Sequence, residues 1–237
     1  MFFGFWWDWT LIILVPGMLF TLWAQLRVKS SFSRYATVPL RPEMTGAAVA
    51  RRMLDANGLS HIAIEPVRGH LSDHYDPRAK VLRLSESVYH SNSVAAVGVA
   101  AHEAGHALQD AKRYAPLHLR MAMVPICNIG STLAFPLFFI GILVAGMSAF
   151  GEWLIFAGIA AFSLSVIFQL VTLPVEFNAS RRAMRCLSRS GTMSAEELCG
   201  ARRVLSAAAM TYVAALAAGL LSLLRLLVIA GSRSRRD

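Results

Sequence analysis

Four long apolar segments constrain this sequence more strongly than any other feature. They cover residues 3–25, 123–150, 153–173 and 208–230. A helix rises about 1.5 Å per residue, so each segment is long enough to cross the hydrocarbon core of a bilayer, which is about 30 Å thick. Hydrophobic residues make up 56% of the 237 residues and charged residues only 16%. The sequence therefore predicts a mainly α-helical membrane protein with about four transmembrane helices.

The first apolar segment is predicted to be a retained transmembrane helix rather than a signal peptide. It is too long for a signal-peptide core, no basic residue precedes it, and it lacks a persuasive small-residue cleavage site. Trp6, Trp7 and Trp9 lie at one end and Trp23 lies near the other, as expected for side chains at the two membrane interfaces.

The distribution of basic residues predicts which parts of the chain face the cytoplasm. Of the 23 Lys and Arg residues, 19 lie in residues 27–120 and 174–207, and the link between the second and third apolar segments has none. Regions rich in Lys and Arg stay on the cytoplasmic side of a membrane. We therefore expect this order: transmembrane helix 1 (1–26), a cytoplasmic α+β region (27–120), transmembrane helices 2 and 3 (121–173), a cytoplasmic helical segment (174–207), and transmembrane helix 4 with a basic tail (208–237).

The basic tail fits this arrangement poorly. With four spans, Arg233, Arg235 and Arg236 end outside the cell, against the rule that keeps basic residues inside. The fourth apolar segment also contains Arg225. A full span and a re-entrant or strongly tilted segment both stay open for residues 208–230.

The net charge of +9 does not indicate a nucleic-acid-binding protein. The basic residues flank apolar segments instead of forming one stripe with interleaved aromatic residues. The three cysteines, Cys127, Cys186 and Cys199, form no CxxC pair. Neither a disulfide framework nor a thiolate zinc site is indicated.

The region before the second apolar segment has the local signals of a small α+β unit. Thr45 can cap a helix that ends near Gly58, and strands are expected near residues 61–67 and 80–84. A further helix is expected to start at Ser91 or Ser93 and to continue to about Arg113.

This last predicted helix carries the sequence His102-Glu103-Ala104-Gly105-His106. Residues four apart on a helix project from one face, so the two imidazoles can share one zinc ion. Glu103 lies beside that face and can act as a general base toward a zinc-bound water. Asp110 could orient one of the histidines, or could simply be a solvated residue at the end of the helix.

A catalytic zinc ion needs a third protein ligand. Glu176, just after the third apolar segment, is the first candidate, although a carboxylate at a helix start can also serve only the helix dipole or an arginine. The rival third ligands are His74, His90 and His118. Tyr75, His74 and Tyr212 are candidate oxyanion donors, and the strand at 81–84 is expected to be an exposed edge that pairs with an extended substrate.

Four stretches of the chain resemble one protein family. They are residues 72–77 (SDHYDP), 82–85 (LRLS), 100–109 (AAHEAGHALQ) and 173–177 (LPVEF), and they are similar to the YugP-type neutral zinc metallopeptidases of bacterial membranes. The resemblance implies a zincin-like unit of the gluzincin kind, with His102, His106 and Glu176 as zinc ligands and Glu103 as the base. The similarity to HtpX and the CAAX prenyl endopeptidases is more distant, and those families usually have an acidic residue where this chain has Ser180.

The sequence thus predicts a zinc-dependent endopeptidase in a bacterial inner membrane, with its active site facing the cytoplasm. Its expected partners are the lipid bilayer and peptide or membrane-protein substrates, including damaged proteins. The alternative is a non-catalytic zinc-binding membrane scaffold. An intact Glu103 disfavours the scaffold, and the near absence of charges within the spans disfavours a transporter.

Overall fold

A computed structural model describes residues 9–69, 72–146 and 148–233, apart from the side chain of Arg233. Trp6 and Trp7 of the predicted first span, and Arg235 and Arg236 of the predicted basic tail, lie outside the described residues. A 3-10 helix, Trp9–Leu14, leads into the first α-helix. The helices are α1 (Val15–Ala36), α2 (Gly46–Asp55), α3 (Glu86–Tyr89), α4 (Val94–Ala111), α5 (Ala115–Val144), α6 (Ala149–Arg189) and α7 (Ala195–Arg233). The strands are β1 (Ala63–Val67), β2 (His74–Asp76) and β3 (Val81–Ser85).

Among the described residues, four helices are long and apolar enough to cross a membrane, judged by length and composition. They are Trp9–Ala36, Ala115–Val144, Ala149–Arg189 and Ala195–Ser232. This confirms the prediction of a mainly helical protein with four candidate membrane-spanning helices and a small sheet.

The bounds of the apolar helices differ from the sequence prediction. Phe150, expected to end the second span, lies in α6, because α5 ends at Val144. α6 then continues through Pro174 to Arg189. A proline inside a helix removes one backbone hydrogen bond and commonly ends the helix. Here Val175 and Ala179 are fully buried just after the proline, and their packing keeps the helix continuous.

The last helix also joins two predicted elements. α7 runs without interruption from the predicted cytoplasmic segment through the fourth apolar segment. A continuous helix of 39 residues favours a full span over the re-entrant alternative.

The described residues form two compact units. The apolar unit comprises the described parts of Met1–Trp23, Leu119–Thr172 and Tyr212–Asp237. Its large apolar side chains are mostly on the outside, with Leu143 77% exposed and Trp153 74% exposed. A water-facing protein does not leave this much contiguous apolar surface uncovered, whereas a lipid-facing one does.

The mixed unit comprises the described parts of Ala24–His118 and Leu173–Thr211. Its sheet has the order β1-β3-β2, with β1 parallel and β2 antiparallel to the central strand β3. The expectation that residues 81–84 form an exposed edge is therefore wrong. Both sides of β3 are hydrogen-bonded, since β1 pairs with one side and β2 with the other, and β1 and β2 form the edges among the described residues.

The helix with the two histidines, α4, lies in the core of the mixed unit. As predicted, Ser93 caps it by accepting a hydrogen bond from the backbone N–H of Ala96 at 3.2 Å, and Thr45 caps α2 in the same way. Short side chains cover most of α4, which lets other elements pack closely around it. The buried apolar residues of this core include Leu54, Ile62, Leu82, Leu84 and Val97.

Candidate metal centre

Three of the predicted site residues meet at one point in the mixed unit. His102 and His106 project from α4, and Glu176 projects toward them from α6. The Nε2 atom of His102 lies 3.2 Å from Oε2 of Glu176, and Nε2 of His106 lies 3.7 Å from the same oxygen. One donor atom from each of the three side chains lies within 4.8 Å of the others. Glu176 is only 2% exposed, so this carboxylate is buried among groups that can neutralise it.

The donor atoms are chemically suited to a zinc ion. Two imidazole nitrogens and one carboxylate oxygen form one of the protein ligand sets of catalytic zinc, which leaves a position for water. The residues present therefore fit the metal that the sequence predicts. Glu103 lies next to His102 on α4 and is partly buried.

A glycine allows α4 and α6 to approach each other this closely. A Cβ atom on Gly105 would lie 2.6 Å from the backbone oxygen of Ala179 on α6. Ala179 is less than one turn after Glu176 along α6, so the same contact sets the distance between the glutamate and the two histidines. In the sequence, only the position of Gly105 inside the motif could have indicated this contact.

The second nitrogen of His106 is held by a buried glutamine. Nδ1 of His106 lies 3.0 Å from Oε1 of Gln109. The amide nitrogen of Gln109 donates to the backbone oxygen of Val175 at 2.7 Å and to Oδ1 of Asn178 at 3.1 Å. Because the amide nitrogen is occupied in this way, Oε1 must accept, and Nδ1 of His106 must carry the proton. When the ring is neutral, as a metal ligand must be, Nε2 of His106 has its lone pair directed at the centre.

His102 has a simpler partner. Its Nδ1 atom lies 3.0 Å from the hydroxyl oxygen of Ser180 on α6. A hydroxyl group can donate or accept, so this contact orients the ring without determining which nitrogen is protonated.

Burial and the neighbouring charges act in opposite directions on the ionisable groups of the centre. Burial raises the pKa of the Glu103 carboxyl, and the neighbouring His106 and His102 oppose this effect only in part. Burial alone lowers the pKa of His106, but the hydrogen bond with Glu176 and the charge of Glu103 outweigh it, so the net shift is upward. The pKa of each group therefore depends on its burial and on the other ionisable groups of the centre.

Asp110 has a role that neither sequence interpretation described. It is buried, accepts a hydrogen bond from the hydroxyl group of Tyr75 at 2.7 Å, and pairs with the ammonium group of Lys80 at 2.5 Å. It therefore links α4 to β2 rather than orienting a metal-binding histidine. Burial, and then this hydrogen bond, raise the pKa of Tyr75, whose hydroxyl group donates to Asp110.

The rival third ligands lie outside the cluster. Nδ1 of His74 bonds to the backbone oxygen of Ser72, and the ring of His90 packs edge-on against Tyr89. Nε2 of His118 lies 4.0 Å from Asp110. Of the candidate ligands, the structure thus brings together only His102, His106 and Glu176.

Comparisons with known proteins agree with this geometry. Residues 10–231 match the model of a family described as "Putative neutral zinc metallopeptidase". The chain is 46% identical, over 219 residues, to the Bacillus subtilis (strain 168) protein called "Putative membrane protease YugP", and the match covers 92% of this chain and 95% of that protein. No solved structure gives a significant match. The resemblance noted in the sequence is confirmed, and the chain belongs to this family of neutral zinc metallopeptidases.

Proposed function

We propose that the protein is a zinc-dependent endopeptidase of the bacterial inner membrane that cleaves membrane-associated or damaged proteins at the cytoplasmic surface. One observation carries this proposal: two histidines of α4 and a buried glutamate of α6 converge beside Glu103. His102, His106 and Glu176 would hold the metal. When bound, zinc supplies a Lewis acid that polarises a carbonyl group and lowers the pKa of a water molecule.

Glu103 is the proposed general base. Its position next to His102 places the carboxylate beside the ligand face of α4, where it can take a proton from water and later pass it to the leaving amine. Gln109 and Ser180 hold the outer nitrogens of the two histidines, so the inner nitrogens keep a fixed direction. The chain's own residues thus bind the ion, orient the ligands and move the proton.

The mixed unit is the proposed zincin-like unit. Strand β2 lies at an edge of its sheet and is tied to α4 through the hydrogen bond between Tyr75 and Asp110. An extended substrate would add to the free side of β2, since backbone hydrogen bonds at a sheet edge hold a peptide with little regard for its sequence. The proposed substrate-binding strand is therefore β2 and not the predicted strand β3, which is the central strand.

The position of Glu176 along the chain supports cleavage near the membrane. It follows the end of the third apolar segment, at residue 173, by three residues on one continuous helix. The basic residues of 27–120 and 174–207 support a cytoplasmic location for both regions that supply the site. We accordingly retain the predicted order of spans and polar regions, and we propose membrane-protein loops and damaged chains as substrates.

The test compares Glu103→Gln with the wild-type protein, both purified at full length in detergent. The amide keeps the shape of the side chain but cannot accept the proton, so we expect one bound zinc ion and a loss of proteolysis by at least about 100-fold. Glu43→Gln, a substitution of an exposed glutamate, is the matched control and should behave as wild type. Proteolysis is measured on a casein substrate and on a membrane-protein substrate in the same preparation.

Two outcomes would reject the proposal. Undiminished cleavage by Glu103→Gln would show that this carboxylate is not the base. A wild-type protein that binds zinc but cleaves neither substrate would favour the scaffold alternative.

A further inference from the structure

A basic cavity of about 730 Å³ lies in the mixed unit, outside the metal centre. Residues of α1, α6 and α7 line it. Five of these residues are arginines, and we call the site the arginine cavity: Arg27, Arg181, Arg185, Arg189 and Arg202.

The arrangement of these arginines is unfavourable without a negative charge. Arg181, Arg185 and Arg189 follow one another at intervals of four residues on α6, so they share one helix face and repel one another. Among the described residues, no Asp or Glu lines the cavity, and these three arginines form no salt bridge. The cavity therefore presents a concentrated positive charge to an anion.

The rest of the lining consists of five apolar residues and three serines, Ser180, Ser188 and Ser206. Phe177, Leu205 and Met210 face the same space as the guanidinium groups. A small, fully hydrated anion gains no favourable contact with these apolar side chains. A molecule that joins an anionic group to hydrocarbon matches both parts of the lining. The charge and the apolar wall together indicate an amphiphile.

We propose that the arginine cavity binds an anionic phospholipid, with the phosphate at the guanidinium groups and the adjoining acyl carbons against Phe177, Leu205 and Met210. Each of the three helices that line the cavity also carries an apolar stretch long enough to cross a membrane. Arg27 follows Trp23, an interfacial residue type, by four positions. Basic sites on the cytoplasmic ends of membrane helices bind anionic headgroups for the same electrostatic reason.

The proposed lipid would contact the same turn of α6 that orients a metal-binding histidine. Ser180 lines the arginine cavity, and its hydroxyl oxygen lies 3.0 Å from Nδ1 of His102. The lipid site is nevertheless distinct from the metal centre. It goes beyond the proposed peptidase function and does not depend on it.

Lipid binding is tested by native mass spectrometry of the full-length protein in a zwitterionic detergent. Dioleoyl phosphatidylglycerol and dioleoyl phosphatidylcholine are titrated separately, and we expect saturable binding of the anionic lipid alone. Arg181→Gln combined with Arg185→Gln should weaken phosphatidylglycerol binding by roughly 30-fold, from the usual contribution of one basic residue at an anionic surface. Arg68→Gln combined with Arg78→Gln removes the same charge from exposed positions outside the cavity and should change nothing.

Competition identifies the occupant. Inorganic phosphate and a hexaglutamate peptide should leave phosphatidylglycerol bound; displacement by either would assign the cavity to a free anion or an acidic peptide and overturn the lipid proposal. Equal binding of the two lipids, or equal losses in the two double variants, would overturn it as well. Should the first double variant fail to fold, Arg202→Gln on α7 provides a separate test, with an expected weakening of roughly fivefold.

Discussion

The surroundings of His106 and His102 differ, although the two residues lie one turn apart on α4. His106 is held by Gln109, whose amide nitrogen is itself anchored to the backbone of Val175 and to Asn178. His102 is held by the single hydroxyl group of Ser180. The first arrangement determines which nitrogen carries the proton, and the second determines only the orientation of the ring.

This difference separates a rigid side of the centre from an adaptable one. Gln109 is fully buried, and its hydrogen bonds to α6 also fix the position of α4 relative to α6. Ser180 supplies a bond that either partner can donate. The His106 side should therefore tolerate little change, while the His102 side should accept both removal and replacement of its partner.

Gly105→Ala should displace both histidines from Glu176 and have the largest effect on zinc affinity and proteolysis. The new Cβ atom would lie 2.6 Å from the backbone oxygen of Ala179, which cannot rotate away as a side chain could. α4 and α6 would have to separate, and Glu176 would move away from the histidines. Because small displacements of reacting groups reduce rates steeply, we expect zinc affinity and proteolysis to fall by about 100-fold or more.

Gly98→Ala is the matched control on the same helix. A Cβ atom there would meet Ala201 at 3.6 Å, an ordinary contact distance. Alanine also favours a helix over glycine by up to about 1 kcal/mol, so thermal stability should stay constant or rise. Zinc affinity is measured by competition with a chelator. If both variants kept wild-type affinity, close approach of the two helices would not be what positions the ligands.

The difference between the two histidines itself is tested by Gln109→Ala and Ser180→Ala. Loss of a group that orients a metal ligand commonly reduces metal affinity by about 10- to 100-fold, and we expect Gln109→Ala to fall in that range. Ser180→Ala should cost less than about tenfold, since one adaptable bond is lost. Competition with a chelator, measured on both variants, gives the ratio of their zinc affinities directly.

Rescue distinguishes orientation of the ligand from general packing. Gln109→Glu keeps an acceptor for Nδ1 of His106 but loses the donor to Val175, so it should recover zinc affinity while staying less stable than wild type. Ser180→Asp should bind zinc more tightly than Ser180→Ala, because a carboxylate is the stronger acceptor. Equal losses for Gln109→Ala and Ser180→Ala would remove the distinction between a rigid and an adaptable side.

Local sequence signals predict much of the mixed unit. The caps at Thr45 and Ser93, the stop at Gly58 with its positive φ of 75°, and the helical spacing of His102 and His106 all depend on residues close together in sequence. Such features form through contacts within one or two turns, so the local sequence is enough to predict them.

Features that depend on which elements pack or pair with one another were not predictable from the residues alone. Glu176 was one of several candidate third ligands until the resemblance to a family singled it out. The bonds of Gln109 to α6 and the contact at Gly105 require knowledge of which helix packs against α4. The central position of β3 likewise depends on pairing with strands on both sides, so its assignment to an edge was wrong.

Asp76→Asn should have the smallest effect, and it tests whether the sheet contributes to either histidine. The pKa of Asp76 is lowered from 3.8 by hydrogen bonds from the backbone N–H of Ala79 and from Arg83. A lowered pKa in the folded state means that the ionised group stabilises the fold above pH 3.8, and that this contribution is lost as the pH falls through the folded-state value. At pH 7 the variant should be less stable by no more than about 1 kcal/mol, because the ion pair is near the surface.

The pH dependence of this effect provides its own control. Thermal unfolding of the zinc-free protein in detergent should show a difference between Asp76→Asn and wild type at pH 7 that shrinks in strong acid, where the wild-type carboxyl group is also neutral. Zinc affinity at pH 7 should be unchanged, since Asp76 bonds within β2, β3 and the turn between them. A loss of zinc affinity as large as that of Ser180→Ala would mean that β2, through Tyr75 and Asp110, supports α4 and the centre, and that the rigid side extends into the sheet.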